Sequence, residues 1–482
     1  MDTGDSMKAF FDPTSVAVVG ASRAAGKGGN TIVANMLEFG FGGRIYPVNP
    51  SAGEILGLQA YPSLAELPDA PDLVVAVLPR LQTAELMKDC AAAHVGSVII
   101  PAAGFSDAGD EGRRLQDDVM GIASSAGIRV MGPNSIGTVN TGAGLATSIV
   151  TLERLKEGGV SIFGQTGMFA SGIARWINTS EHFGIRKIAC LGNKADIDEN
   201  DLLEHLADDP GTRVIGAYTE GVRDGERFAR ALARAAAAKP VLLMKSGRTE
   251  TGRRAIESHT GALAGSEQVY AGVIEQSGAI RVDDFEEMFD CAKAFEWLPA
   301  PRGNRVGVIS ITGVGCVLSA DASAVHGLVM PPIADSTVEA MRGALPEWAP
   351  VSNPADIWAG IESSGAEATY RAVASAIADD PSVDSLLLIF TLIPESRLDV
   401  AALFDEIRSA HPEKPAVAAL MAGEATMHVE WKEALESAGV PAYTSPERAL
   451  RALGALCSYA KRTDPLNPPE VHQTTTHHRR KT

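Results

Sequence analysis

Short apolar segments alternate with amphipathic stretches along most of the chain. The apolar segments of the first third are rich in β-branched residues and carry no regular polar alternation, which is typical of parallel strands buried on both faces. They are residues 15–19, 44–48, 73–77, 97–100 and 128–131. Helical patterns, such as those at 30–39 and 81–93, fall between them. This alternation predicts a doubly wound parallel sheet with helices on both faces.

The same alternation returns twice further along the chain. The corresponding apolar segments are 159–163, 187–191, 213–218 and 240–244, and then 305–309, 385–390 and 416–420. A chain of 482 residues, at roughly 150 residues per domain, fits about three domains. We therefore predict an α/β protein with three doubly wound parallel-sheet domains, at 8–145, 150–298 and 303–462, followed by a disordered tail at 463–482.

Composition and charge narrow the class of protein. Hydrophobic residues make up 45% and charged residues 21% of the chain, as in ordinary globular proteins. A formal net charge of -18 disfavours nucleic-acid binding, which requires a basic face. The five cysteines are far apart and form no Cys-x-x-Cys pair, which predicts reduced thiols. Because we find no signal peptide and no run of about 18 apolar residues, we predict a cytoplasmic protein with no membrane partner.

A glycine-rich loop at 20–30 connects the first predicted strand to the first helix. Backbone N–H groups and the helix dipole favour phosphate at such a position. The spacing is not Gly-x-Gly-x-x-Gly, and Asn49 stands where a dinucleotide fold usually places an acidic residue, so an NAD-dependent oxidoreductase is disfavoured. Arg23 and Lys27 add positive charge, which favours a phosphate-rich ligand such as coenzyme A. The alternative is a tight turn with solvated basic side chains.

A single imidazole, that of His259, lies in a run of small residues at 257–266. Gly261 and Gly265 allow backbone to approach a ligand closely, and 262–264 can begin a short buried turn. We therefore predict a reactive loop that carries His259. The alternative is a histidine that is merely packed or solvated.

Several stretches together resemble the α subunit of ADP-forming acyl-CoA synthetases (acetate–CoA ligases), which are related to succinyl-CoA synthetase. The resemblance covers residues 10–460, and the histidine segment is its most specific part. The stretches that carry it are Gly20-Ala-Ser22, Ile45-Tyr-Pro-Val-Asn49-Pro50, Gly132-Pro-Asn134, Leu191-Gly-Asn-Lys-Ala-Asp-Ile-Asp198, Glu220-Gly221-Val222 and Ser258-His-Thr-Gly-Ala-Leu-Ala-Gly-Ser266.

The resemblance implies a ligase that interconverts a carboxylic acid, coenzyme A and ATP with acyl-CoA, ADP and phosphate, through acyl phosphate and a phosphohistidine. It implies a Rossmann-like first domain that binds coenzyme A, a second flavodoxin-like domain that carries the phosphohistidine at His259, and a third flavodoxin-like domain. The residues that we expect to hold coenzyme A are Gly20, Ser22, Arg23, Lys27, Asn49, Pro79 and Arg80.

Phosphohistidine chemistry requires a partner for the imidazole. One ring nitrogen attacks phosphorus while the other donates a hydrogen bond to a carboxylate, which fixes the tautomer. Glu220 follows an apolar segment and is expected at the carboxyl end of a strand, where α/β sheets place their sites. The resemblance favours Glu220 as this partner, and Glu257, nearer in sequence, is the alternative.

Donors for the phosphoryl group are expected at helix N-termini. Two strand–turn–helix stretches are similar to the paired helices that hold the phosphohistidine in this family, and each can also be a plain N-cap turn. They are Gln165, Thr166 and Gly167 after the segment 159–163, and Gly313 and Gly315 after the segment 305–309. The family's usual Gln-Ser-Gly-Ala-Leu ends here in the bulkier Met168 and Phe169, which puts acetate as the acyl substrate in question.

An acidic cluster raises the question of a metal ion. It consists of Asp196, Asp198, Glu199 and Asp201. Its spacing lacks the glycine and the terminal glutamate of a calcium loop. We predict the N-terminal turn of a helix, whose dipole the carboxylates complement, and no metal site.

The sequence contains no Gly-x-x-x-x-Gly-Lys-[Ser/Thr] loop and nothing that resembles the ATP-grasp module of this family. We therefore expect a separate ATP-grasp β subunit that holds ADP or ATP and Mg, in an α₂β₂ assembly. A catalytically idle CoA-binding regulatory or scaffold protein is the rival interpretation, and an NAD-dependent oxidoreductase is a weaker one.

Overall fold

The structure is a computed structural model that describes residues 3–260 and 265–464, and for 3–6 and 257–260 it describes the backbone alone. The chain divides into two compact units, Met1–Glu296 and Trp297–Thr482. Within the described ranges, no helix is both long enough and apolar enough to span a lipid bilayer. The predicted tail from residue 465 onwards lies outside the described residues, and Thr463 belongs to a helix.

The first sheet of the first unit is parallel, with the strand order β2-β1-β5-β6-β7. Every residue of its central strand is buried, which explains the continuous apolar pattern. The strands are β1 (Ser15–Val19), β2 (Arg44–Val48), the hairpin β3 (Glu54–Ile55) and β4 (Leu58–Gln59), β5 (Leu73–Ala76), β6 (Ser97–Ile99) and β7 (Arg129–Met131). The helices are α1 (Thr3–Phe11), α2 (Gly28–Phe39), α3 (Thr83–Ala92) and α4 (Gly109–Ala126).

The second sheet has the order β14-β13-β12-β10-β11-β8-β9, and its last two strands are antiparallel. These two strands were not predicted from the sequence, because they are short and follow the first sheet directly. The strands are β8 (Gly137–Asn140), β9 (Leu145–Ala146), β10 (Glu157–Gly164), β11 (Ile185–Cys190), β12 (Val214–Thr219), β13 (Val241–Lys245) and β14 (Ile280–Val282). The helices are α5 (Ala174–Trp176), α6 (Glu199–Asp208), α7 (Gly225–Ala238), α8 (Glu250–Thr260), α9 (Glu267–Ser277) and α10 (Phe285–Trp297).

The second unit contains a parallel sheet with the order β16-β15-β17-β18-β19. Its strands are β15 (Val306–Ser310), β16 (Ala355–Asp356), β17 (Ser385–Leu392), β18 (Ala416–Gly423) and β19 (Ala442–Tyr443). Its helices are α11 (Gly313–Val325), α12 (Asp335–Arg342), α13 (Trp358–Ser364), α14 (Ala366–Asp379), α15 (Val400–Ala410), α16 (Ala425–Ser437) and α17 (Pro446–Thr463).

The parallel parts of the three larger sheets in the described chain share one topology, and the hairpin of β3 and β4 is a separate two-stranded sheet. In each, the first parallel strand lies between the second and the third, so the strand order reverses beside it. These switch points fall between β1 and β5, between β10 and β12, and between β15 and β17. Ligands of open α/β sheets bind outside the carboxyl ends of the strands at such points. The predicted fold class is confirmed, and each sheet offers one candidate crevice.

Candidate functional site

The switch point of the second sheet brings Gln165 and Glu220 together. Strands β10 and β12 are neighbours in parallel register, with Gly164 opposite Tyr218. The backbone N–H of Glu220 donates a hydrogen bond of 2.9 Å to Oε1 of Gln165. Two residues that the sequence predicts for one site therefore lie in direct contact.

The carboxylate of Glu220 is buried and only partly satisfied. The hydroxyl of Tyr218 donates a hydrogen bond of 3.1 Å to Oε1. Oε2 is inaccessible to solvent and has no hydrogen-bond partner among the described residues, and the residue as a whole is 8% exposed. A buried acceptor without a donor costs about 1 to 3 kcal/mol, and more when it is charged. Such an atom is a candidate for contact with a substrate or with a catalytic group.

The loop after Glu220 is anchored from two sides. The buried ammonium of Lys194 donates hydrogen bonds to the carbonyl of Gly221 at 2.6 Å and to Glu199 at 2.7 Å. The backbone N–H of Val222 donates to the hydroxyl of Tyr270, on α9, at 2.8 Å. These contacts hold the loop in place, and with it the position of the Glu220 carboxylate.

Lys245, the last residue of β13, places a buried cation near this carboxylate. Its side chain is 4% exposed, donates a hydrogen bond to the carbonyl of Ser246 and lies 4.7 Å from the ring centroid of Tyr270. Burial lowers the pKa of Lys245, while the charges of Glu267 and Glu220 act in the opposite direction. Sequence analysis missed Lys245, although a charged residue at the end of an otherwise apolar strand is a usable signal.

The position of His259 differs from its prediction. The backbone of 250–260 is helical, so His259 lies in the last turn of α8 and the loop prediction is wrong at this residue. The side chains of His259 and Glu257 and the predicted turn at 262–264 lie outside the described residues. Helix α8 packs against the 3₁₀ turn Ser106–Ala108 of the first sheet, which brings the segment that carries His259 next to the predicted CoA-binding domain.

The turn after β10 is not the regular helix N-terminus that the sequence predicts. Oγ1 of Thr166 accepts a hydrogen bond of 3.2 Å from the backbone N–H of Met168. A wide π-helical turn follows, and its backbone is non-helical at Ala170 and Ser171. The ring of Phe169 is buried, edge-on to that of Tyr218, whereas Met168 is 52% exposed. Phe169 is therefore part of the core, and Met168 alone of the two bulky residues faces solvent.

In the second unit, the turn between β15 and α11 has the predicted N-cap geometry. Oγ1 of Thr312 accepts a hydrogen bond of 3.3 Å from the backbone N–H of Gly315. A Cβ at Gly315 would overlap Oγ of Ser310, so a glycine is required there. Gly313 is exposed at the first turn, and a Cβ placed on it would lie 3.2 Å from Oδ2 of Asp356.

At the switch point of the first sheet, the glycine loop approaches neighbouring strands closely. Gly20 has a φ of 88°, and a Cβ there would overlap the carbonyl oxygen of Val77. The side-chain amide of Asn49 donates a hydrogen bond of 2.7 Å to the carbonyl of Ala21, and that of Asn30 donates one of 2.8 Å to the carbonyl of Ser22. Asn49 therefore holds the loop in shape.

The first turn of α2 is open to an anion. It contains no acidic residue, and no described side chain caps it. Arg23 and Lys27 are exposed beside it, which fits a phosphate-rich ligand. Pro79 is exposed, and Arg80 donates a hydrogen bond to the carbonyl of Gly104, so the loops after β5 and β6 meet.

The acidic cluster caps α6, which confirms its structural interpretation. Asp198 accepts hydrogen bonds from the backbone N–H groups of Asn200 and Asp201, and the side chain of Asp201 accepts one from the backbone of Asp198. Asp196 pairs with Arg129 at 2.9 Å.

Comparisons with known proteins cover almost the whole chain. Three domain families match in succession: a CoA binding domain at 14–141, a succinyl-CoA ligase like flavodoxin domain at 157–295, and a Ligase-CoA domain at 306–467. The solved structure of the dinucleotide forming acetyl-coenzyme A synthetase 1 of Candidatus Korarchaeum cryptofilum, in complex with phosphate and ADP, is similar with a TM-score of 0.88 and 33% identity. The match covers 95% of this chain and 97% of that one.

Curated relatives give the same result. The alpha subunit of ADP-forming acetate–CoA ligase II from Pyrococcus furiosus is 36% identical over 94% of this chain and 97% of its own length. ADP-forming acetate–CoA ligase II from Archaeoglobus fulgidus is 38% identical over 95% of this chain and 67% of its own length. The chain therefore belongs to the family of alpha subunits of ADP-forming acetate–CoA ligases, as its sequence motifs indicate.

Proposed function

We propose that this chain carries the phosphoryl group of an ADP-forming acyl-CoA synthetase on His259, with Glu220 as the carboxylate that orients the imidazole. The observation that supports this role most is the buried, unpartnered Oε2 of Glu220 at the switch point of the second sheet. An imidazole N–H is a donor that satisfies such an oxygen, and the contact stabilises the cation that forms when the other nitrogen is phosphorylated.

In the direction of acyl-CoA breakdown, a nitrogen of His259 attacks the phosphorus of acyl phosphate. An N–P bond forms while the bond between phosphorus and the acyl oxygen breaks, and its electron pair leaves with the carboxylate. Gln165, Thr166 and Gly167 line the edge beside Glu220 and would hold the phosphoryl oxygens. The resemblance to the family also gives Gly313 and Gly315 of the second unit a phosphate-binding role, although the backbone N–H of Gly315 donates to Oγ1 of Thr312 in this structure.

Coenzyme A is assigned to the loop between β1 and α2. Gly20 and Ser22 shape the loop, Asn49 braces it, and Arg23 and Lys27 supply positive charge for phosphates. Pro79 and Arg80, after β5, lie on the other side of the switch point. When bound, the thiol of coenzyme A supplies the nucleophile that converts acyl phosphate to a thioester.

The nucleotide half of the reaction is assigned to another chain. One curated relative is named a subunit alpha, and that protein has nearly the same extent as this chain. The sequence also contains no phosphate-binding loop of the Gly-x-x-x-x-Gly-Lys-[Ser/Thr] kind. We propose that the partner is a β subunit of the ATP-grasp type that holds ADP or ATP with Mg, in an α₂β₂ assembly located in the cytoplasm.

Labelling of the purified chain tests the role of His259. After incubation with acetyl-CoA and radioactive phosphate, the chain should carry an acid-labile, base-stable phosphoryl group. His259→Asn should abolish the label, whereas His94→Asn should keep it, because His94 is exposed in the turn between α3 and β6 with a positive φ that asparagine tolerates. A chain that binds coenzyme A but takes no radioactive phosphate in the presence of acetyl-CoA or of longer acyl-CoA substrates would instead be the idle scaffold.

A further inference from the structure

The hydroxyl of Tyr218 contacts the carboxylate of Glu220 at the carboxyl edge of the second sheet. It donates a hydrogen bond of 3.1 Å to Oε1 of Glu220. Tyr218 therefore engages one oxygen of this carboxylate, while Oε2 has no hydrogen-bond partner among the described residues.

We propose that Tyr218 is a positioning residue for phosphoryl transfer, which holds Oε1 of Glu220 so that Oε2 alone is left to accept from the imidazole of His259. This proposal rests on the roles given above to His259 and Glu220. It assigns a separate task to each carboxylate oxygen, one fixed by the protein and one reserved for the reaction.

The strand geometry supports this division. Tyr218 lies in β12 and Glu220 follows the last residue of that strand, and the two side chains meet at the carboxyl edge of the sheet. The backbone of Glu220 is fixed through its N–H by Gln165. A carboxylate held at its backbone and at Oε1 has little freedom left to rotate, and this directs Oε2.

The ring of Tyr218 is itself held in place. Its centroid lies 6.5 Å from that of Phe169, edge-on, and 6.1 Å from that of Phe285. Phe169 and Phe285 also contact each other edge-on at 5.8 Å. Such aromatic contacts restrict the ring, so the hydroxyl cannot move away from Glu220 without repacking the core.

The chemistry of the pair is consistent with a permanent donor. Burial, followed by the nearby negative charge of Glu220, raises the pKa of Tyr218 to about 12. The hydroxyl therefore stays protonated at neutral pH and keeps donating. Lys245, Glu267 and Lys194 are further charged groups at this edge of the sheet.

A double-mutant cycle on the labelling reaction tests the proposal. Tyr218→Phe keeps the ring and removes the hydroxyl, and we expect the rate of His259 phosphorylation to fall roughly tenfold, the value of one hydrogen bond to a charged group. The fall should be in the maximal rate and not in the acyl-CoA concentration that gives half of it, since Tyr218 acts on Glu220 and not on the substrate. In the Glu220→Gln background, the Tyr218→Phe change should cause little further loss, because Tyr218 acts through Glu220.

Tyr370→Phe is the matched control, since it removes a buried tyrosine hydroxyl that donates to the carbonyl of Ile389 in the second unit. Tyr370→Phe should leave the rate of His259 phosphorylation unchanged. A wild-type rate for Tyr218→Phe, or losses that multiply fully in the double variant, would overturn the role of Tyr218. Failure of the underlying function gives a different result, because the wild-type chain itself would then take no label or His259→Asn would keep it.

Discussion

Nδ2 of Asn193 donates a hydrogen bond of 2.8 Å to Oδ1 of Asp107, joining the loop after β11 of the second sheet to the turn after β6 of the first. The same carboxylate accepts the backbone N–H groups of Gly104 and Phe105 at 2.8 and 2.9 Å. Helix α8 packs against this turn. The carboxyl-edge loops of the two sheets therefore meet beside the segment that carries His259.

This contact predicts a stability that depends on pH. Burial raises the pKa of Asp107, but the hydrogen bonds from Asn193 and from backbone N–H groups outweigh it, so the folded pKa lies below the ordinary 3.8. The contribution of the Asp107 carboxylate to the free energy of unfolding is therefore fully present above pH 3.8 and is lost as the pH falls through the lowered folded pKa. Asp107→Asn should be less stable than wild type to urea at pH 7 and should approach it near pH 3.

Asp117→Asn is the control for this measurement, because Asp117 is exposed on α4. The stability of Asp117→Asn to urea should differ little from that of wild type at either pH. An Asp107→Asn deficit that is as large near pH 3 as at pH 7 would contradict the assigned hydrogen bonds.

Close backbone approach at Gly20 predicts a large effect of one methyl group. Gly20→Ala adds a Cβ that overlaps the carbonyl oxygen of Val77 at a φ of 88°, so we expect a loss of about 3 kcal/mol in the free energy of unfolding and loss of coenzyme A binding. Gly40→Ala also has a positive φ, 73°, but its Cβ would meet no atom within 4 Å. Gly40→Ala should lower the free energy of unfolding by only about 1 kcal/mol and should still bind coenzyme A. If denaturation and calorimetry showed that Gly20→Ala and Gly40→Ala lower the free energy of unfolding and the affinity for coenzyme A equally, the overlap with Val77 would not explain the loss.

The charge beside the first turn of α2 predicts a salt-dependent affinity. Replacing both Arg23 and Lys27 by glutamine should weaken coenzyme A binding roughly tenfold at low salt, and less at high salt, because exposed charges are screened. The pair Arg113→Gln and Arg114→Gln, exposed on α4, is the control. If titration calorimetry showed an unchanged affinity for coenzyme A when Arg23 and Lys27 are replaced, the loop would be a plain turn with solvated side chains.

The buried charge of Lys245 is expected to lower the stability of the fold while it assists the phosphorylation of His259. Because burial lowers the pKa of Lys245, the unfolded chain holds this proton more tightly, and stability rises with pH between the folded pKa and the ordinary 10.5. Lys245→Met removes the buried charge, so we expect an equal or higher melting temperature at pH 7 but slower phosphorylation of His259. A variant that unfolds earlier and labels at the wild-type rate would show that the cation serves the fold alone.

Much of this fold could be predicted because buried parallel strands leave an unmistakable pattern. The segment 15–19 matches β1 residue for residue, and every residue of that strand is buried. The segment 44–48 also matches β2, although Arg44 at its start is exposed. Strands β8 and β9 escaped because pairs this short carry too few residues for a period. The broken turn at Ala170 and Ser171 escaped as well, because it depends on packing around the ring of Phe169.

The site was predictable to the extent that its residues follow strand ends. Gln165 and Glu220 were found because each comes directly after an apolar segment, and the switch point brings them together. Tyr218 was missed because it lies inside a strand, where a side chain that reaches the carboxyl edge cannot be distinguished from a core residue without the neighbouring strands. Lys245 was missed although it ends β13 as a charged residue after an apolar run.

A chase experiment tests the central claim most directly. The chain would first be labelled by incubation with radioactive phosphate and an acyl-CoA substrate and then freed of small molecules. It would be mixed with its β subunit, Mg and ADP, and the transfer of label would be followed in a single turnover. We predict that the label leaves His259 and appears in ATP as fast as the complex turns over. Label that stays on the chain while the complex makes ATP at its full rate would contradict the account.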